Sequence, residues 1–136
     1  MVAAREETII STDEAIYGMT FVGGDFVFSF RLLATDSGAA GMNTMIGIDG
    51  DVFWLGKRNF FNYNGVVNEL ACSVQYYVFD RMQTNFIDKT TVGHNKAFKE
   101  VTWFYVSNDN PAGAINPEPD SYVTYNYDSK AWSVGT

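Results

Sequence analysis

The sequence has few of the side chains that enzymes use for nucleophilic chemistry. Its 136 residues include one cysteine, Cys72, and one histidine, His94. A single cysteine cannot form an internal disulfide, so the fold does not depend on an oxidising compartment. Cys72 and His94 could pair as thiol nucleophile and base, but no third orienting group can be identified, and a lone cysteine in a β protein is most often a small buried apolar residue. We therefore predict no catalytic residues and no enzyme activity.

Positive charge is also scarce. Nine Lys and Arg residues stand against sixteen Asp and Glu, which gives a formal net charge of −7. Because nonspecific affinity for DNA depends on cations that neutralise phosphates, we predict no tight binding to nucleic acid. No apolar run approaches the length of a membrane span, and the N-terminal residues lack the basic-then-apolar order of a signal peptide, so we predict no membrane partner.

Metal-binding signatures are missing as well. Asp49 and Asp51, and the run Asn108-Asp109-Asn110, place oxygen ligands close together. The twelve-residue, glycine-containing loop with a terminal Glu that defines a strong calcium site is absent. Asp and Asn are common in turns, and a turn explains these residues better than a calcium site does. We predict no metal and no cofactor.

Aromatic residues are abundant and favour β structure. Eleven Phe, eight Tyr and three Trp fit the pleated, half-buried surface of a sheet. The stretch 49–65 is typical of an antiparallel meander, because the apolar runs 52–55 and 60–63 lie between the turn signals Asp49-Gly50, 56–59 and Asn64-Gly65. The other predicted strands cover 7–11, 15–22, 26–31, 44–48, 66–70, 97–106, 122–127 and 131–134.

One segment departs from the strand pattern. Apolar residues near helical spacing predict a helix within 73–88, most simply 73–82 with Ser73 as its cap, although 74–79 is also rich in strand-forming residues. Strand–turn–strand units recur about every 45 residues, which is the range of propeller blades. We predict an all-β fold with one minor helix, built from two to three four-stranded antiparallel sheets like propeller blades, at about 1–35, 43–72 and 90–136. A β-sandwich of meanders is the alternative.

Two sets of residues are candidates for structural or binding roles. We assign the strand aromatics to the core: Trp54, Phe60, Tyr63, Trp103, Tyr105, Tyr125 and Trp132. If Trp54, Trp103, Tyr125 and Trp132 instead faced water together, they would form a sugar-binding shelf. The segment 107–120 holds all three prolines and is long for a mere connection, so we predict a partner contact there. Its candidate contact residues are Asn108, Asp109, Asn110, Pro111, Ile115, Pro117, Glu118 and Pro119.

A string of glycines and aromatics carries a resemblance to a known family. The residues concerned are Gly38, Gly41, Asp49-Gly50, Trp54, Gly56, Asn59-Phe60, Tyr63, Gly65, Cys72, Gly93-His94-Asn95, Phe98, Glu100-Val101, Trp103-Phe104-Tyr105, Tyr122-Val123, Tyr125-Asn126-Tyr127, Trp132 and Gly135-Thr136. In order and spacing they resemble a segment of the tail nozzle or tail-hub proteins, also called tail tubular or tail accessory proteins, of short-tailed bacteriophages. The resemblance spans nearly the whole chain, and it contains no catalytic signature.

The resemblance implies a non-catalytic structural protein of the virion, made in the host cytoplasm. Such proteins form a ring of β-propellers around the channel through which DNA leaves the capsid, so the implied partners are further copies and other tail proteins. The family's proteins are several times longer, so we expect residues 1–136 to be a single β domain that is a fragment of a larger propeller, such as a metagenomic sequence would give. The alternative function is a carbohydrate-binding or host-recognition β domain.

The fragment hypothesis also predicts self-association. A slice of propeller lacks the neighbours that would cover its first and last sheets. We therefore expect apolar faces around Ile9, Ile16 and Phe26 at one end, and around Val123, Tyr125 and Trp132 at the other, to be partly exposed and to form the interface of a homo-oligomer.

Overall fold

The protein is described by a computed structural model that covers residues 2–4, 7–12, 14–23, 27–41, 43–108 and 117–136. Strands dominate this part of the chain. In order, they are β1 Val2–Ala4, β2 Glu7–Ser11, β3 Ala15–Gly23, β4 Val27–Thr35, β5 Met45–Ile48, β6 Asp51–Leu55, β7 Phe60–Tyr63, β8 Val67–Leu70, β9 Thr91–Asn95, β10 Glu100–Tyr105, β11 Ser121–Asn126 and β12 Ala131–Gly135. Between β8 and β9 lie a seven-residue helix, α1 Gln75–Arg81, and a 3₁₀ helix, Thr84–Lys89.

The strands form three four-stranded antiparallel sheets. The first sheet contains β1 to β4, the second β5 to β8 and the third β9 to β12, and in each the spatial order follows the chain order. Each sheet is therefore an up-and-down meander, which is the topology of a propeller blade. The predicted all-β fold with one minor helix is confirmed. No helix among the described residues is both long and apolar enough to cross a membrane.

Local turn chemistry explains the central meander. Asp49 and Gly50 both have positive φ, 51° and 87°, as a two-residue type I′ hairpin requires. The next turn is closed by a hydrogen bond from the Gly56 amide to the Asn59 carbonyl, 2.8 Å long. These turns set the register in which Trp54 lies opposite Phe61.

Several predicted boundaries need correction. The helix begins at Gln75, its cap residue is Val74, and no side chain caps it. Ser73 is therefore not the cap, because the chain enters the helix through a turn in which the Gln75 amide bonds to the Cys72 carbonyl. The predicted strand 97–106 begins only at Glu100, since Lys99 has a φ of 56° and ends a turn that starts at Lys96. Strands β1 and β9 were not predicted.

The chain divides into two compact units. Unit 1 comprises Met1–Ala40 and Met45–Leu70, and unit 2 comprises Gly41–Thr44 and Ala71–Thr136. Unit 1 thus contains the first two sheets. Their facing sides form one buried cluster of Ile9, Ile16, Val52, Trp54, Phe61 and Tyr63. The prediction of a single β domain over 1–136, part of a larger propeller, stays a prediction.

Aromatic stacking organises both units. In unit 1, the Trp54 and Phe61 rings stack with centroids 5.6 Å apart, and the Trp54 indole donates to the Ser37 carbonyl at 2.7 Å. In unit 2, Trp132 lies 6.5 Å from Trp103 and 4.5 Å from Tyr125. The indole N–H groups of Trp103 and Trp132 donate to the Thr44 and Ala71 carbonyls, so all three indoles bond to a backbone carbonyl, as buried aromatics with a polar group require.

Candidate functional site

The outer face of the third sheet carries a pair of exposed aromatic rings. Alternation along a strand sends Val101, Trp103 and Tyr105 of β10 into the buried side, whereas Phe104 points the other way. Phe104 lies directly opposite Tyr122 of β11. The two rings are tilted against each other with centroids 6.2 Å apart, and the residues are 42% and 36% exposed. We call this pair the aromatic shelf.

Glycines on the flanking strands leave room for the shelf. Gly135 of β12 lies opposite Tyr122, and a Cβ atom at Gly135 would collide with the tyrosine ring. On the other side, a Cβ at Gly93 of β9 would stand 3.9 Å from the Phe104 ring. Tyr122 therefore lies across its neighbouring strand instead of standing upright, and the shelf presents broad ring surfaces.

A row of hydroxyl groups borders the shelf. Thr102 of β10, Thr124 of β11 and Ser133 of β12 are cross-strand neighbours, two residues along each strand from Phe104, Tyr122 and Gly135. The Thr102 and Thr124 hydroxyl oxygens are 2.9 Å apart. Thr124 is buried, Thr102 is partly exposed and Ser133 is exposed. The aromatic rings offer a surface for the C–H face of a sugar ring, and the Thr102 and Ser133 hydroxyls lie beside that surface.

The shelf predicted from the sequence consists largely of buried residues. Trp54 and Trp103 are fully buried and Tyr125 is 3% exposed, so these three rings cannot offer a face to a ligand. Trp132 is partly exposed, and its indole donates to the Ala71 carbonyl at 2.7 Å. The sequence reasoning missed Phe104 and Tyr122, although the Thr, Ser and Gly residues at alternate positions of β9 to β12 are a signal for an outward face.

The seven aromatics assigned to the core occupy the following environments. Trp54, Phe60, Tyr63, Trp103, Tyr105 and Tyr125 are buried, and Trp132 is intermediate. Burial also raises the pKa of Tyr105 and Tyr125 above the ordinary value of 10.0. Deprotonation of these side chains is thus disfavoured in the folded protein.

Tyr63 belongs to a polar network that links the two sheets of unit 1. Its hydroxyl donates to Glu7 Oε1 at 2.6 Å, and Arg31 donates to the same oxygen at 2.9 Å. Burial raises the pKa of Tyr63, and the hydrogen bond to the Glu7 carboxylate and the negative charge of that group raise it further. The arrangement satisfies the carboxylate with two donors, which indicates a structural role.

The predicted partner-contact loop lies partly outside the described residues. Asp109, Asn110, Pro111 and Ile115 fall in the undescribed segment, Pro117 is buried, and Glu118 and Pro119 are exposed. The two ends of the loop are closely tied to unit 2. Ser107 donates its amide to Asp120 Oδ1 and its hydroxyl to Asp120 Oδ2, both at 2.8 Å. The partner contact stays a prediction.

Asn108 anchors the start of this loop to helix α1. Its amide donates to the Arg81 carbonyl at 2.7 Å, and its side-chain amide donates to the Asp80 carbonyl at 3.0 Å. The last carbonyls of a helix have no intrahelical donor, and these two bonds satisfy carbonyls of that kind at the C-terminal end of α1. The described contacts of Asn108 are therefore internal.

Cys72 and His94 show no catalytic geometry in the described contacts. Burial raises the pKa of the Cys72 thiol, which is opposite to the shift that activates a nucleophile. His94 Nε2 lies 3.1 Å from the Tyr127 hydroxyl, and the two rings have centroids 5.8 Å apart. Among the described residues, no group of three His, Cys, Asp or Glu side chains could hold a metal ion.

Unit 1 also contains an open cleft of about 430 Å³. Glu14 and Asp36 line it together with Lys57 and Arg58, and Phe61 contributes ring surface. The volume is within the range of small-molecule pockets. Because the cleft presents both signs of charge in equal number, it favours no single class of charged ligand.

In comparisons with known proteins, no family model matches the sequence, and no curated protein matches it.

Proposed function

We propose that this protein is a structural, non-catalytic component of a bacteriophage tail, similar to the nozzle or hub proteins that surround the DNA exit channel of short-tailed phages. The observation that carries the proposal is the succession of three four-stranded antiparallel meanders along the described chain. Repetition of one blade-like unit is typical of proteins that use stacked sheets as a scaffold.

The positions of the residues that carry the family resemblance support this proposal. Asp49 and Gly50 form a tight hairpin, and Gly56 lies so close to the Phe61 ring that a Cβ atom would stand 2.5 Å from it. Trp54 and Trp103 are fully buried. These members of the set shape or fill sheets, which is what a shared scaffold requires.

The charge of the chain is compatible with a role beside a DNA channel. A formal net charge of −7 repels phosphate and would keep a passing duplex from sticking, provided that carboxylates line the channel. The partners under this proposal are further copies and other tail proteins, and the location is the virion.

Gene neighbourhood tests the proposal. Tail genes lie close to the genes for other virion components, so we expect genes for a portal and for DNA packaging beside this one. A neighbourhood of metabolic or secreted glycan-degrading enzymes, with no virion gene among them, would contradict the tail assignment.

The aromatic shelf supports a second candidate function, binding of a carbohydrate. Phe104 and Tyr122 expose adjacent ring surfaces, and the hydroxyls of Thr102 and Ser133 lie next to them. Stacking of sugar C–H groups on such rings, with hydrogen bonds to the hydroxyls, would allow host-surface recognition. Side chains of this kind carry much of the binding energy at recognition surfaces.

A glycan array followed by titration tests this second function. We expect binding of at least one glycan, and a loss of at least tenfold in affinity for Phe104→Ala and Tyr122→Ala. Tyr76→Ala is the matched control, because Tyr76 is 77% exposed and lies on helix α1 and not on the third sheet, so its loss should leave affinity unchanged. Absence of binding across the array, or equal affinity for all variants, would exclude the shelf as a sugar site.

A further inference from the structure

The open cleft of unit 1 brings groups of opposite charge together around a volume of about 430 Å³. Its described lining includes the carboxylates of Glu14 and Asp36, the cations of Lys57 and Arg58, and the ring of Phe61. All of these residues belong to unit 1, so the cleft lies within one compact unit. A volume of this size accommodates a small molecule. We call it the mixed-charge cleft.

Hydrogen bonds hold the backbone that carries these charges. The Ser37 amide donates to the Glu14 carbonyl at 3.2 Å, which joins the chain before β3 to the chain after β4. The turn between β6 and β7, which carries the two cations, is closed by the bond from Gly56 to Asn59. An antiparallel bridge between Ala39 and Gly56 joins the acidic and the basic segments. The charged groups therefore project from a scaffold that is formed before a ligand arrives, which lowers the cost of binding.

The opposite charges of the cleft do not cancel one another by direct contact. Lys57, Glu14 and Asp36 make no ion pair with one another in the part of the chain that the structure describes. All three side chains are exposed. Opposite charges that share a cleft without contact can each attract a different group of one bound molecule.

A ligand that carries both signs of charge fits this arrangement best. An anion would be attracted by Lys57 and repelled by the carboxylates of Glu14 and Asp36, and a cation would meet the reverse. A zwitterion has no net charge, and its ammonium and carboxylate groups can each face a group of the opposite sign. Amino acids and short peptides are zwitterions of this kind, and the ring surface of Phe61 offers a contact for an apolar side chain.

We propose that the mixed-charge cleft binds an amino acid or a short peptide as a zwitterion, with its ammonium group toward Glu14 and Asp36 and its carboxylate toward Lys57. The site does not depend on the tail assignment, because the lining of the cleft alone carries the inference. It is also distinct from the aromatic shelf, whose residues Phe104 and Tyr122 belong to unit 2.

Nuclear magnetic resonance titration of the isotope-labelled full chain tests the site with four probes that share a phenyl ring. Phenylalanine and the dipeptide alanyl-phenylalanine carry both charges, phenethylamine carries only the ammonium, and phenylpropionate carries only the carboxylate. We expect saturable shifts at the amides of Glu14, Gly38 and Lys57 with at least one zwitterion, and the tighter of the two identifies a free amino acid or a peptide as the ligand. Because exposed ion pairs are weak, each singly charged probe should bind about fivefold less tightly.

Substitutions that remove one charge test the same site from the side of the protein. Lys57→Gln should weaken the zwitterion and phenylpropionate by about fivefold but should not weaken phenethylamine. Glu14→Gln should weaken the zwitterion and phenethylamine but not phenylpropionate. A loss that follows the charge of the probe in this way would not arise from a merely structural effect. The matched controls are Lys96→Gln and Glu118→Gln, which alter exposed residues of unit 2 and should leave every affinity unchanged.

The comparison of the four probes on the unaltered protein requires no variant, and circular dichroism establishes that each variant is folded. Absence of saturable shifts with both zwitterions, up to the solubility limit of the probes, would overturn the proposal. So would equal binding of the singly charged probes, since the cleft would then not read both charges. An equal loss of affinity in Lys96→Gln or Glu118→Gln would likewise overturn it, because the effect would not belong to the cleft.

Discussion

At the scale of single residues, Trp103 of unit 2 combines full burial with a hydrogen bond and ring stacking. It is fully buried, its indole donates to the Thr44 carbonyl at 2.8 Å, and its ring stacks against Trp132. Trp103→Ala should lower the free energy of unfolding by about 3–5 kcal/mol, because the substitution removes apolar contacts and leaves a cavity. Urea denaturation followed by far-ultraviolet circular dichroism measures this loss.

Phe104→Ala is the matched control for Trp103→Ala. Phe104 is the next residue along β10, but it is 42% exposed on the opposite face. Its truncation should cost about 1 kcal/mol or less, as is usual for surface positions. If Trp103→Ala cost no more than Phe104→Ala, the assignment of the buried side of this sheet would be wrong.

The pKa of Tyr63 predicts how stability changes at alkaline pH. Burial, the hydrogen bond to Glu7 and the charge of Glu7 raise the pKa of Tyr63 above 10.0, while Arg31 lowers it in part. Since the unfolded chain loses this proton more easily, the stabilisation is fully present below about pH 10 and is lost as pH rises through the folded-state pKa. The pKa of Tyr105 and Tyr125 is raised as well, so stability should fall above about pH 10.

Tyr63→Phe isolates the part of this effect that belongs to Tyr63. We expect a loss of about 1–2 kcal/mol at neutral pH, from the missing hydrogen bond to Glu7, and a shallower decline above about pH 10. Melting temperatures measured from neutral to alkaline pH, beside those of the unaltered protein, give both quantities. An equally steep alkaline decline in the variant would show that Tyr63 contributes nothing to it.

At the scale of the elements, the hairpin between β5 and β6 depends on two residues with positive φ. Gly50 has a φ of 87°, a conformation that residues with a Cβ atom rarely adopt. Gly50→Ala should therefore destabilise the protein by about 1 kcal/mol. Gly93→Ala is the control, because a Cβ there would make ordinary contact with Phe104 at 3.9 Å and should be tolerated. Equal thermal stability of the two variants would contradict this explanation of the turn.

Many of the elements could be predicted because local signals were strong. Strands β2 and β7 have the predicted bounds, and the Asp49-Gly50 turn has the predicted positive φ. Lys99 and Lys130 also have positive φ, 56° and 63°, but lysine carries no preference for that conformation. The turns at these residues are imposed by the strands that they connect, so their φ angles could not be read from the sequence.

The faces of the strands were harder to predict than the strands themselves. Trp103, Phe104 and Tyr105 are consecutive aromatics, so hydrophobicity alone does not say which of them point inward. The same ambiguity applies to Ile9 and Ile10, of which only Ile9 is fully buried. Tertiary packing decides such cases, and a shift of one residue exchanges the two faces. This is why the predicted oligomer interface and the predicted sugar shelf fell largely on buried residues, with Trp132 partly exposed and Phe26 outside the described residues.

At the scale of the whole molecule, the acidic charge predicts that the chain does not bind duplex DNA. Sixteen carboxylates against nine cations leave too little positive charge to release counterions from the phosphates. Fluorescence anisotropy with a labelled duplex at physiological salt should show no binding up to micromolar protein. Binding in that range that weakens as salt is added would contradict the expectation, because it would reveal a basic surface large enough to grip the backbone.

The central claim is that this protein is a structural part of a phage tail, and the protein composition of purified particles tests it most directly. Mass spectrometry of virions produced by a culture that carries the gene should detect peptides of this chain, in several copies per particle. The peptides should remain after nuclease treatment and density-gradient purification, since a tail component is held by protein contacts. Complete virions that lack these peptides, from cells in which the protein is abundant, would contradict the account.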